Sequence, residues 1–258
     1  MTLSNAMPAD RGAAAIAAFT LHSPDSGPFA FAPTRGVALA AMLRHAACQA
    51  ALGQPDAAET ELFVAGHVQG GPPQERISYL PLPDIALRAD GLVRHVMLAA
   101  PAAQRRQLQA VAKSLCDAVL TNMQGQPVAR LKPAADDDDV VAAYLQRPAG
   151  ECVLTSVTPV VLPGFDERRS DKALKLFQRC LRQAGIREED VIAVKFIDRT
   201  PWPGTKPATA YDRPQHCERF TCRHIQVMCR DWPAGPAVLG AGRFRGLGLL
   251  ACGTNHAT

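Results

Sequence analysis

Gly240-Ala241-Gly242-Arg243-Phe244-Arg245-Gly246-Leu247-Gly248 is the stretch on which the reading of this chain depends. It holds four glycines and two arginines in nine residues. Glycine tolerates positive φ and, lacking a Cβ, lets an anion or another backbone come close. Exposed backbone N–H groups and guanidinium forks together suit a phosphate-bearing partner. Other glycine-loop chemistries fit poorly. A dinucleotide fingerprint needs a strand before it and a helix after it, yet only ten residues follow Gly248. The Lys-Ser/Thr of a P-loop is absent. A tight glycine turn between two strands, with Arg243 and Arg245 on the surface, accounts for the stretch equally well at this level.

Upstream, residues 13–22 read as a strand, 23–34 as a Pro/Gly/Ser-rich loop and 36–52 as an Ala-rich helix with Gly53 as C-cap. An apolar run at 61–65 leads into a loop at 66–73. Residues 76–82 alternate as a strand that Pro81 and Pro83 end or confine to an edge. Residues 92–99 form another strand, Pro101 opens a helix through Val119, and 126–131 supply a last strand. That is the β-α-β-β-α-β order of a ferredoxin-like unit. The second half repeats the rhythm. It has a strand at 152–162 and a helix at 171–184 with Leu174, Phe177, Cys180 and Leu181 on one face. Strands follow at 191–197 and 220–228, and the glycine loop runs into 249–252. The expected fold class is α+β, as tandem ferredoxin-like (RRM-like) folds with a C-terminal glycine-rich loop. The expected domains are residues 7–132 and 151–258. Residues 133–150, which carry the acidic run Asp136 to Asp139, are expected to be a linker or exposed excursion. Ser4-Asn5-Ala6 ahead of Met7 resembles an expression scar, so the fold is read from Met7 onward.

Composition bounds the partners. Hydrophobic residues make up 47% and aromatics 5%, so the core is built mostly from Ala, Val and Leu. No run approaches the ~18 apolar residues of a membrane span, and the N-terminus lacks the apolar region of a signal peptide. Eight cysteines without a C-x-x-C pair read as reduced thiols, and the expected location is cytoplasmic. Net charge is +4, and with the Asp run set aside 28 basic residues face 20 acidic ones. Between Arg199 and Arg245 eight Lys/Arg face three Asp/Glu, which permits a polyanionic partner without requiring one. His216, Cys217, Cys222, His224 and Cys229 are possible zinc ligands by type, but their spacing matches no compact finger pattern, and no metal site is expected.

Four stretches together carry a resemblance: Gly66-His67 followed by Ile77-Ser78-Tyr79-Leu80-Pro81-Leu82-Pro83; Thr155-Ser156-Val157-Thr158-Pro159-Val160-Val161-Leu162-Pro163; Arg223-His224-Ile225; and Gly235 through Leu250. The chain resembles the RAMP superfamily of CRISPR repeat-processing endoribonucleases. It is most similar to the processing half of the fused backbone/processing subunit of the type I-U (I-G) subtype. The glycine loop alone is a superfamily-level feature; the YLPLP and TPVVLP segments narrow it. In that subtype a backbone half usually precedes the processing half, and 258 residues leave no room for both.

The resemblance implies a metal-independent ribonuclease, without cofactor, that cuts the repeats of precursor CRISPR RNA. A 2′-hydroxyl would attack its own 3′-phosphate, leaving a 2′,3′-cyclic phosphate and a 5′-hydroxyl. The reaction needs a base, cations around the phosphorane and an acid for the 5′-oxygen. Histidine suits the proton transfers. His45 on the first helix and His67 in the following loop are the expected acid–base groups, and Tyr79 could orient a base or hydroxyl. Arg44, Arg76, Arg243, Arg245, His224 and the glycines Gly240, Gly242, Gly246 and Gly248 are the expected RNA contacts. The expected partners are the RNA repeat and other type I effector subunits, with no membrane. Two other readings stay open: an RNA-binding subunit without catalysis, and an α+β interaction protein whose glycine loop is only a turn.

Overall fold

A computed structural model describes residues 14–25, 27–51, 62–66, 76–86, 88–146, 150–167 and 169–253. The first half begins with β1 (Ala15–His22), which runs through a 3-10 turn at Pro33–Arg35 into α1 (Gly36–Ala51). Seven alanines among the sixteen residues of α1 favour helix and leave little side-chain bulk. Leu39, Ala40, Leu43 and Ala47 are buried against the sheet. Then come β2 (Ser78–Pro83), β3 (Val93–Ala100), α2 (Arg105–Leu115), β4 (Val119–Thr121) and β5 (Pro127–Pro133). The sheet order is β2-β3-β1-β5-β4, antiparallel throughout. Apart from the added β4, this is the ferredoxin-like order. β2, which carries Pro81 and Pro83, is an edge strand, where a missing N–H costs no ladder bond.

Two expectations need correction here. The second helix ends at Leu115, not Val119. Cys116 is extended and Asp117 takes a φ of 61°, so the chain reverses into β4. A three-residue strand is too short to show alternation in sequence. Residues 133–150 are not simply a linker. Asp138 caps α3 (Asp139–Leu145) by accepting from the N–H groups of Val140 and Val141 at 3.0 and 3.1 Å. Tyr144, 0% exposed, donates its hydroxyl to the Pro83 carbonyl at 2.5 Å. Asp136, Asp137 and Asp139 remain exposed, whereas Asp138 also meets His95 Nε2 at 2.9 Å. The acidic run concealed a helix start.

The second half consists of β6 (Cys152–Ser156), β7 (Val160–Val161), α4 (Ser170–Gln183), β8 (Val191–Ile197), β9 (Cys222–Cys229), β10 (Ala237–Val238) and β11 (Leu249–Cys252). β8 pairs with β9, β9 with β6, β6 with β11 and β11 with β10. The four principal strands thus repeat the order of the first sheet. Both halves are ferredoxin-like folds. α4 buries Ala173, Phe177, Cys180 and Leu181, while Leu174 is 43% exposed at the margin of the stripe, against expectation. Among the described residues no helix lies between β9 and β11. The chain there makes β10 and the glycine loop, in the place that α2 holds in the first fold.

The two folds share a core. Leu80, Leu82, Met97 and Ala99 of the first sheet pack with Val141 and Tyr144 of α3 and with Val157, Leu249 and Ala251 of the second fold. Burying these side chains holds the sheets together at roughly 1.5–3 kcal/mol for each large aliphatic group. No helix among the described residues is long and apolar enough to cross a membrane.

Candidate nucleic-acid interface

The loop between β10 and β11 is pinned from several sides. Leu239 N–H donates to Gly248 O (2.8 Å), Ala241 N–H to Val161 O (2.8 Å), Arg245 N–H to Gly242 O (2.8 Å) and Gly248 N–H to Pro159 O (2.9 Å). Gly248 has a φ of +77°, and a Cβ there would lie 1.8 Å from Leu239 O. Gly246 has a φ of +83°, and a Cβ there would crowd Pro81, Gly36 O and Ala40. Gly240, Gly242, Gly246 and Gly248 are all buried. Close packing is thus one role of these glycines. These glycines let the loop pack against β2, β7 and α1, and of their own N–H groups that of Gly248 is engaged by Pro159 O.

What the loop presents is side chains. Arg243, Phe244 and Arg245 are partly exposed. Tyr79 and Arg245 form an isolated parallel bridge that ties the loop to β2. The Arg76 guanidinium lies 4.0 Å from the Phe244 ring centroid and that of Arg243 lies 4.3 Å from it. Arg243 also donates to Gly240 O (3.2 Å), and Arg76 to Gly66 O (3.0 Å). On α1, Gly36 and Ala40 touch the loop at Gly246. Arg44 is one turn further along that ridge and donates through Nε and Nη2 to Ala65 O at 3.1 and 2.9 Å. Burial, and then the charges of Arg243, Arg245 and Arg44, push the Arg76 guanidinium down to about 10. Burial also lowers Arg243 and Arg245. Four guanidiniums from three separate segments therefore converge, and among the described residues the charged neighbours that shift Arg76 are cations. Such a cluster is held at an electrostatic cost that an anion relieves.

The expected acid–base residues fare differently. His45 is exposed on the ridge of Ala41 and Gln49, beside the ridge that faces the loop. His67 lies outside the described residues. Tyr79 is buried, donates its hydroxyl to Val64 O (3.0 Å) and has its phenol pushed far above the usual range by burial. It holds the helical turn at 62–65 against β2 and has no free hydroxyl to offer. His224 is fully buried. Its Nδ1 pairs with Ser156 Oγ (3.1 Å) and its Nε2 with Lys206 O (2.9 Å), and burial lowers its pKa. It is a core residue, not an RNA contact.

Two groups at the cluster escaped the sequence reading. Phe244 sits between Arg243 and Arg245 in sequence, and an aromatic flanked by two arginines is the signal for its stacking role. His216, weighed only as a metal ligand, is exposed on the 3-10 turn Gln215–Cys217. Buried Cys217 anchors that turn against Leu247 and Val161. Burial, and then the charges of Arg245 and Arg76, lower the His216 pKa, and the packing of Cys217 with Leu247 sets this turn against the loop. No spacing rule links residues 216 and 245; only the fold does.

The model of the CRISPR-associated protein, GSU0054 family, matches residues 3–252. The chain belongs to this family. No curated protein matches it in sequence. Among solved structures, this GSU0054-family chain is similar to a RAMP protein that binds different RNA substrates. The two share 10% identity over 93% of this chain and 99% of the other, with a TM-score of 0.49. It is also similar to a Cas6 product complex (14% identity, 93% and 98% covered, TM-score 0.40). The CRISPR RNA processing endoribonuclease Cas6b gives 9% identity over 92% and 99%, with a TM-score of 0.36. The repeated strand order, rather than these distant likenesses, fixes the fold of the GSU0054-family chain.

Proposed function

We propose that this protein binds precursor CRISPR RNA and cuts it within its repeats by metal-independent transesterification, keeping hold of the processed RNA. The convergence of Arg44, Arg76, Arg243 and Arg245 carries this reading, together with membership of a CRISPR-associated family. A base takes the proton of a 2′-hydroxyl, and O2′ attacks the adjacent phosphorus. The P–O5′ bond breaks, and an acid returns a proton to O5′. The guanidiniums balance the charge that gathers on the phosphorane oxygens. His216, His45 and His67 are the proposed proton-transfer groups. Burial and the neighbouring cations favour the neutral form of His216, the form a base must have. Other subunits of a type I effector complex are proposed partners. The YLPLP and TPVVLP segments support the type I-U assignment and the processing-half role.

The test is cleavage of an end-labelled cognate repeat in EDTA, expected to yield a cyclic phosphate and a 5′-hydroxyl. The burial of Tyr79, one of the expected active groups, favours a second reading, a binding subunit that does not cut. Tight binding of the intact repeat without cleavage would establish that second reading instead.

A further inference from the structure

A cleft of about 440 Å³ opens between the two folds, beside the guanidinium cluster. Arg76, Arg243 and Phe244 are among the residues that line it. Trp232 and Ile186, both largely buried, form apolar wall, and Gln183 lies at the C-terminal turn of α4. Among the described residues no Asp or Glu lines it.

We propose that this cleft takes one unstacked nucleobase of single-stranded RNA, with the adjoining phosphate on Arg76 and Arg243. This rests on the RNA-binding reading above and adds to it a pocket for an unpaired nucleotide. The volume lies within the usual range of small-ligand pockets, about 300–1,000 Å³, so a single flipped base is the scale of group it accommodates. Its lining combines apolar and cationic chemistry. Trp232 and Ile186 offer an indole and an aliphatic face, which favour an aromatic ring. Gln183 adds an amide with both a donor and an acceptor, suited to a base edge. Arg76 and Arg243 offer two guanidiniums against the Phe244 ring, a stack that a base can extend. The C-terminal end of α4 carries partial negative charge and disfavours a phosphate beside it, so the phosphate belongs on the arginines.

Trp232 reports on occupancy. Short A, C and U homopolymers are titrated against the whole chain while tryptophan emission is followed, with inorganic polyphosphate as an anion without bases. The homopolymers should quench and polyphosphate should not. In Trp232→Phe most of the quench should vanish while anisotropy still reports binding. In Ala234→Phe, which narrows the cleft from an exposed position on its wall, homopolymer affinity should fall about tenfold and polyphosphate affinity should hold. Binding with no Trp232 response, and with undiminished affinity in Ala234→Phe, overturns this inference alone. Failure of every RNA to bind overturns the RNA reading and this inference with it.

Discussion

The guanidinium of Arg76 lies 4.0 Å from the centroid of the Phe244 ring, across the boundary between the two folds. Arg243 lies 4.3 Å from the same centroid, so one aromatic ring positions two cations that repel each other. The ring quadrupole offsets part of that repulsion, by about 0.5–2 kcal/mol for each cation. Phe244→Ala should therefore weaken RNA binding roughly tenfold by freeing both guanidiniums. The ring is only half buried, so the thermal midpoint should move little. Equal affinities for variant and wild type in fluorescence anisotropy would show that the stack does not organise the site.

Arginines that meet phosphates should leave a trace in the salt dependence. Each single-strand phosphate neutralised contributes about 0.7 to the slope of log K against log salt. Replacing Arg243 and Arg245 together by Ala should flatten that slope by about 1.4 if each meets one phosphate. A parallel loss of affinity at all salt concentrations, with the slope unchanged, would move the phosphate path away from the loop.

His224 and Tyr79 should prove structural. Tyr79→Phe should leave cleavage and binding nearly unchanged and cost about 1 kcal/mol of stability, the worth of the hydroxyl bond to Val64 O. The pH dependence for His224 runs in one direction. Its folded pKa lies below the unfolded value of about 6.5, so the unfolded chain takes up a proton first on acidification. Its contribution is present in full above about pH 6.5 and is lost as pH falls from there through the folded pKa. Urea titrations across that range should show the decline, and His224→Gln should reduce it. A decline of the same size in the variant would assign it to other groups.

The strand and helix order was legible because each element carries its own pattern. Examples are the alanines of α1, the prolines of the edge strand β2, and the Phe177/Cys180/Leu181 stripe of α4. The site was less legible, because its geometry is tertiary. The glycines of 240–248 signal close approach in sequence, but not whether to RNA or to Pro81 and Val161. His216 reaches the cluster only because Cys217 is buried beside Leu247. His224 sits on a strand, next to the glycine loop in sequence, and still points into the core. Composition also misled at 133–150, where exposed aspartates masked the buried face of α3.

That face supports a direct test. Tyr144 lies in the shared core with Leu80, Met97 and Leu249, and bonds to Pro83 O. Tyr144→Ala should cost about 3–5 kcal/mol, as for other buried aromatics, and loosen the contact between the folds. A residue in a true linker would tolerate the change. Unaltered denaturation midpoint and protease resistance would restore the linker reading.

The proton-transfer groups can be separated by single-turnover cleavage at saturating protein, in EDTA, for His45→Ala, His67→Ala and His216→Ala. Loss of a positioned acid or base costs about 10²–10⁴ in rate, whereas loss of a phosphate contact mainly weakens binding. His216→Ala should fall within that range with affinity held within a few-fold. The pH profile supplies a check that a structural role would not pass. A base must be neutral, so the rate should drop as pH falls through the pKa of His216. Arg245 and Arg76 lower that pKa in the free protein. A bound phosphate opposes them, so the acidic limb should lie at higher pH in the RNA complex than in the free protein. Removing one of the cations should have a similar effect. Arg245→Ala lifts part of the repulsion and should shift the limb toward neutral pH. If the limb stays in place in Arg245→Ala and persists in His216→Ala, His216 is not the base, and the role returns to His45 or His67.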